Sequence, residues 1–264
     1  MMSRILRLSD GTRVRLIEAG AGAPVLLIHG VGMRAEAWGP QIDALSLDHR
    51  VIAVDMPGHG ESDPLPGEPS LPDYVAWAAR VVQALGLGPL AVAGHSMGAL
   101  IAAGLAVEHP ELVTRVALLN GVFRRSAAAR DAVQARAAQI AAGVAEVEAP
   151  LARWFGPEEE TLRGQVASWL RAVPQSGYAA AYRAFAAGDS TYADRLATIR
   201  CPLLVMTGDG DANSTPVMTR AMAASVPGGR AEVIAGHRHM MNLTAPEAVS
   251  GALNAWLSPE KATQ

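Results

Sequence analysis

Cysteine and lysine are almost missing from this chain of 264 residues, which has one of each, Cys201 and Lys261. A lone cysteine excludes an intramolecular disulfide and a thiolate metal cage. Cys201 precedes Pro202 at the start of an apolar run, the setting of a buried, inert thiol. Lys261 lies in the last four residues, so Schiff-base chemistry and a lysine general base lose their natural candidate. Strong charge is lacking too. A formal net charge of -3 without any basic run gives no attraction for nucleic acid or an anionic membrane surface. Long apolar runs are also missing. Residues Met1 to Asp10 interleave charged and apolar side chains, unlike a signal peptide, and no later stretch reaches the length of a membrane span. The expectation is a cytoplasmic protein, monomer or homodimer, whose partner is a small molecule.

What is present suits one sizeable core, with room for a small inserted subdomain. Half the residues are hydrophobic and 18% are charged, an ordinary globular balance. Arg4 to Leu8 and Arg13 to Glu18 flank Ser9-Asp10-Gly11-Thr12 and predict two antiparallel strands around a tight turn. Short apolar runs follow: Val25 to Ile28, Val51 to Val54, Leu90 to Ala93, Val116 to Leu119 and Leu203 to Met206, with Ala231 to Ile234 matching except at Glu232. Such runs predict strands buried on both faces, as in a parallel sheet covered by helices. Helical stretches alternate with them at Ala35 to Leu45, Leu71 to Leu85, Met97 to Glu108 and Pro216 to Ala224, and Pro246 to Leu257 comes last. This order predicts a doubly wound α/β sheet with its ligand at the carboxyl ends of the strands.

From Val122 to Leu196 the rhythm stops, leaving Ala- and Arg-rich helical sequence broken by glycines and prolines. We expect a helical cap over 122–196, inserted in a core made of 1–121 and 197–264. The segment carries eight of the twelve aromatics. A thin helical layer needs large side chains for a core of its own, and up to about three of these could face a substrate pocket.

Gly94-His95-Ser96-Met97-Gly98 lies between an apolar run and a helix of small residues. Gly-x-Ser-x-Gly in that place is a nucleophile turn: the glycines allow a sharp bend, and the bend exposes the Ser96 hydroxyl at a helix N-terminus. Serine needs a base. Of seven histidines, only His237 and His239 follow the last strand. Two carboxylates that could orient such a base, Asp209 and Asp211, follow the run Leu203 to Met206.

With these features the chain resembles the α/β-hydrolase superfamily over nearly its whole length. The resemblance implies the α/β-hydrolase fold: a mostly parallel, eight-stranded sheet, helices on both faces and an inserted helical cap. Gly236-His237-Arg238-His239, followed by an apolar stretch and Pro246-Glu247, looks like the family's base loop and selects His239, leaving His237 to support the loop. The pattern Gly-x-x-Asp selects Asp211, with Asp209 as a turn residue. The place at the end of the preceding strand, where some relatives keep their acid, holds Asn120. His29-Gly30-Val31-Gly32 resembles the family's His-Gly-x-Gly loop and implies an oxyanion hole made by the N–H groups of Val31 and Met97. Asp55 to Ser62 looks like a further family feature, with His59 and Ser62 structural. No cofactor or metal is implied.

The expected activity is hydrolysis of a small ester, lactone or amide through an acyl-enzyme. Carbon–carbon bond hydrolysis of a ring-cleavage product is the alternative, with a cofactor-free haloperoxidase side reaction beside it. His95 before the nucleophile, where ring-cleavage-product hydrolases commonly have Asn, favours the former. A ligand receptor with little turnover is the reading from another class. Arg124, Trp154 and Met240 are the expected substrate contacts. Arg124 shares with Arg125 the prospect of holding a carboxylate in a two-pronged hydrogen bond.

Overall fold

The structure, a computed structural model, describes residues 1–144 and 146–258, so Lys261 lies outside the described residues. Eight strands form one sheet in the order β1-β2-β4-β3-β5-β6-β7-β8. Strands β1 (Met2–Arg7) and β2 (Arg13–Ala19) make the expected hairpin, with Arg7 opposite Arg13. Strand β2 pairs antiparallel with β4 (His49–Val54); the pairs from β4 onward are parallel, through β3 (Ala23–Ile28), β5 (Leu90–His95), β6 (Val113–Leu119), β7 (Leu203–Gly208) and β8 (Arg230–Ile234).

Period-two geometry divides each central strand between two layers. In β3, Leu26 and Ile28 join a core with α2 (Leu71–Leu85) and α3 (Met97–Glu108), whereas Val25 and Leu27 join another with α1 (Gly39–Leu45) and α10 (Pro246–Leu257). Each fully buried Leu, Ile or Val contributes roughly 1.5–3 kcal/mol of burial free energy, so a strand apolar throughout is stable only between two layers. Strand β8, at the edge, is only partly covered. One expected helix is split: Ala35–Trp38 is a 3-10 turn, and α1 begins at Gly39, next to Pro40.

Between β6 and β7 lie four helices and no strand among the described residues: α4 (Ala127–Ala141), α5 (Glu148–Trp154), α6 (Glu160–Ala172) and α7 (Gln175–Ala187). Leu151, Phe155, Val166, Leu170 and Tyr178 form a small core of their own with Met33, Met240 and Leu243. The segment is thereby seated on the loops at the carboxyl ends of the strands. Short helices α8 (Pro216–Ala224) and α9 (Met241–Thr244) complete the chain. No helix of the described residues is long and apolar enough to cross a membrane.

Candidate active site

Strand β5 ends at His95 and α3 starts at Met97, which leaves Ser96 alone to reverse the chain at φ 56°, ψ -115°. Few non-glycine residues adopt a positive φ. The flanking glycines are required by space: a Cβ on Gly94 would lie 1.9 Å from the Gly98 carbonyl oxygen, and one on Gly98 2.1 Å from that of Ile28. The turn is locked in place by the Ser96 N–H, which donates to the Leu119 carbonyl at 2.8 Å.

Asp211 follows β7 and His239 precedes α9. They meet at 2.8 Å between His239 Nδ1 and Asp211 Oδ2. A carboxylate at Nδ1 fixes that nitrogen as the N–H and leaves Nε2 as an acceptor. Asp211 Oδ2 also accepts from Asn120 Nδ2 at 2.8 Å, and Oδ1 accepts from the N–H groups of Asn213 and Ser214 at 2.8 and 3.1 Å. Burial pushes the Asp211 carboxyl up, but His239 and these donors outweigh it and hold the group below its ordinary value. Asn120, just past the end of β6, is thus a donor to the Asp211 carboxylate.

His95 Nε2 donates to the His239 carbonyl at 2.8 Å, and its ring lies 5.0 Å from the His239 ring. The Trp154 indole stacks against His239 at 5.5 Å. His237 Nδ1 is 2.9 Å from Thr244 Oγ1, a support for the loop, and Asp209 accepts from the Gly236 N–H at 2.8 Å. Ser96, His95 and His239 line a single cavity of about 480 Å³. Among the described residues no hydrogen bond joins Ser96 Oγ to His239; such contacts are often long before substrate closes them.

Val31 lines the same cavity, and among the described residues neither its N–H nor that of Met97 has an acceptor. Two buried histidines pin the Val31 loop. His59 Nε2 accepts from the Gly32 N–H at 3.0 Å, and His29 Nε2 accepts from the Met56 N–H at 2.9 Å. Their Nδ1–H groups donate to the carbonyls of Pro57 and Gly30. Burial is the main reason that His29 is lowered to about 4 and His59 to about 3, so both are neutral struts. Ser62 is structural too, bridging the Arg15 N–H and the Asp55 carbonyl.

Of the three expected substrate contacts, Trp154 and Met240 line the cavity and Arg124 does not. At φ 46° its side chain turns outward to pair with Asp194 and lie over Phe123, while Arg125 enters the cavity wall. The aromatics lining the cavity are four, Trp154, Tyr178, Tyr182 and Phe185, one more than expected. Arg136 and Arg153 line it as well; no motif marks them, and only their place in an arginine-rich helical segment pointed their way. Among the described residues no group of His, Cys, Asp and Glu could hold a metal ion.

A serine on a strained strand-to-helix turn, a late histidine tied to an aspartate, and an eight-stranded sheet beneath them define a hydrolase-type fold. The chain belongs to the alpha/beta hydrolase family, whose model matches residues 25–252, and the family and fold together make it a hydrolase. It is 50% identical to the (E)-2-((N-methylformamido)methylene)succinate hydrolase of Acinetobacter baylyi, over 97% of this chain and 98% of that one. A thermophilic esterase from Thermogutta terrifontis, solved with malate bound, superposes with a TM-score of 0.88 at 26% identity, covering 97% of this chain and 98% of the other. The enol-lactonase of Burkholderia xenovorans shares the fold, with a TM-score of 0.87 at 24% identity over 97% of this chain and all (100%) of that chain.

Proposed function

We propose that this protein hydrolyses a small unsaturated dicarboxylate bearing an N-acyl group, through an acyl-enzyme on Ser96 with His239 as base and Asp211 as its orienting acid. The observation that carries the mechanism is the His239–Asp211 contact at 2.8 Å, which leaves Nε2 basic in the cavity that Ser96 and Val31 also line. The substrate class comes from the Acinetobacter relative. Its named substrate is not an ester, so the ester preference drawn from His95 gains nothing from it, and the carbon–carbon alternative gains more.

The chemistry of such a compound joins the amide and carbon–carbon readings. Its formyl carbon is bound to nitrogen, and that nitrogen sits on a double bond whose far carbon carries a carboxylate. Ser96 Oγ gives its proton to His239 Nε2 and adds to the formyl carbon, while the N–H groups of Val31 and Met97 hold the oxyanion. The carbon–nitrogen bond then breaks as Nε2–H protonates the nitrogen. Water, deprotonated by His239, releases formate and restores Ser96. The enamine left behind tautomerises to a β-imino acid, which loses carbon dioxide, so a carbon–carbon bond breaks within the same overall conversion.

The test is incubation with (E)-2-((N-methylformamido)methylene)succinate, following formate and carbon dioxide together and trapping formyl-Ser96 by mass spectrometry. Both products should form, and neither should appear with Ser96→Ala. Equal release by that variant would remove Ser96 from the mechanism. Much faster turnover of simple alkyl esters would restore the ester reading.

A further inference from the structure

Hydrolysis needs a nucleophile, a base and an oxyanion hole, but the cavity holds more than these. Three arginines line it, Arg125, Arg136 and Arg153, against a single acidic residue, Glu146. This is a local inversion of sign in a chain of net charge -3. The three come from separate elements: the loop after β6, the middle of α4 and the end of α5.

Arg125 is buried, and its guanidinium lies 4.4 Å from the Phe185 ring centroid. Its Nη1 reaches the carbonyls of Phe185 and Ala186 at 3.3 and 3.4 Å and Asp189 Oδ1 at 3.4 Å. Its Nη2 is buried with no partner. Asp189 is itself shared with Arg130 at 3.5 Å. An unpaired buried donor on a cation is costly, and Arg125 lines the cavity wall, where an anionic ligand would offset that cost.

Arg136 donates to the backbone carbonyl of Glu146. Arg153 has no hydrogen bond or ion pair among the described residues. The two phenols between them show how the cations are distributed. Burial and Tyr182 push Tyr178 up to about 12, against the pull of Arg136 and Arg153. Burial also raises Tyr182, which feels all three arginines. Along the wall Tyr178, Tyr182 and Phe185 pack edge to face in turn, with ring centroids 5.9 and 5.8 Å apart, and Arg125 lies over the Phe185 end.

We propose that this wall is a dicarboxylate site, in which Arg125 takes one carboxylate of the substrate while Arg136 and Arg153 take the other. The inference rests on the reading of Ser96 as nucleophile of the same cavity and specifies what that nucleophile is offered. Two anchored carboxylates fix a small molecule in both position and rotation, so its acyl group is presented to Ser96 without any contact to the acyl group itself. A neutral acyl compound could enter but would not be held. A monoacid would be held at one end.

The test measures binding of succinate and of its monomethyl ester by calorimetry in the Ser96→Ala protein, and again with Arg125→Lys, Arg136→Gln, Arg153→Gln or Arg124→Gln added. Succinate should bind about tenfold or more tighter than the monoester, and Arg136→Gln and Arg153→Gln should each weaken succinate by a similar factor. Arg124→Gln, outside the cavity, should change neither. Arg125→Lys keeps the charge but loses the fork, and should narrow the gap between diacid and monoester. If that variant fails to fold, the Arg136→Gln, Arg153→Gln double variant decides. Equal binding of diacid and monoester, or unchanged succinate binding in the double variant, overturns the proposal. Hydrolysis of 4-nitrophenyl acetate separates the two readings. Activity that persists in Ser96→Ala while the arginine variants lose succinate breaks the nucleophile reading and leaves the dicarboxylate site standing.

Discussion

The floor and the roof of the cavity are built by opposite means. On the floor, Ser96 follows the buried strand β5 directly while Asp211 and His239 lie in the loops after β7 and β8, and the polar atoms around them are mostly paired: Asp211 alone accepts four hydrogen bonds. The roof is made from helices, of which α7 buries five residues whereas α4 has few anchors. Helix α4 buries only Ile140 of its fifteen residues, although it supplies Ala129, Ala132, Val133, Arg136 and Gln139 to the cavity. The difference matches the tasks proposed for each. Bond-making needs groups held in place before the substrate arrives, whereas recognition of a charged substrate tolerates donors that settle onto it.

The sharpest way to break this contrast is at the floor. Ser96→Ala should lower kcat by about a millionfold, as the loss of a nucleophile does in other triads. A variant keeping a tenth of wild-type activity would mean that the floor is mere scaffold. Asp211→Asn should cost about 10⁴-fold in kcat through the wrong His239 tautomer, with little change in KM. His239→Ala should abolish turnover and His237→Ala spare most of it, since His237 is occupied with Thr244. Steady-state kinetics on one substrate orders all four, and the reverse order for the two histidines would reassign the base.

Acid should attack the floor first. Burial lowers His29 to about 4 and His59 and His95 to about 3, whereas the unfolded chain takes up these protons near 6.5. The folded state refuses protons that the unfolded state binds, so this stability is complete above about 6.5 and falls as the pH drops toward 4. For three histidines the steepest slope approaches about 4 kcal/mol per pH unit. Asp211, a carboxylate held below its ordinary value, adds its own loss only at lower pH. The helical segment 122–196 contains no histidine and contributes nothing to that window. Urea unfolding at pH 7, 6 and 5 checks the slope, and His95→Asn should remove about one proton from it. A flat dependence would show that the floor is not held by neutral imidazoles.

The same contrast decided what the sequence could disclose. Floor residues announce themselves, because a buried parallel strand must be apolar throughout and a strand-to-helix reversal admits only glycine around its serine; Val25 to Ile28 and Gly94 to Gly98 are legible for that reason. The resemblance to the family's Gly-x-x-Asp pattern separates Asp211 from Asp209, and the structure gives them different partners, His239 for one and the Gly236 N–H for the other. The roof follows no such rule. Whether Arg124 or Arg125 faces the cavity depends on a positive φ at Arg124 and on Asp189 and Asp194, more than sixty residues further along. Arg136 and Arg153 sit in a segment where arginine is equally at home in solvent, and only the three-dimensional meeting of α4 and α5 sets them apart.

The smallest effect tests whether floor and roof unfold together. Ser126 caps α4, its hydroxyl accepting from the Ala129 N–H at 3.3 Å. Ser126→Ala removes one cap on a helix with one buried side chain, and should cost about 1 kcal/mol, felt as local opening rather than global unfolding. Amide exchange in α4 should accelerate by about fivefold, while exchange in β5 and β6 and the Tm stay as they were. A Tm several degrees lower would tie α4 to the sheet in one cooperative unit. The roof would then be as rigid as the floor, and a substrate would have to fit arginines already in place.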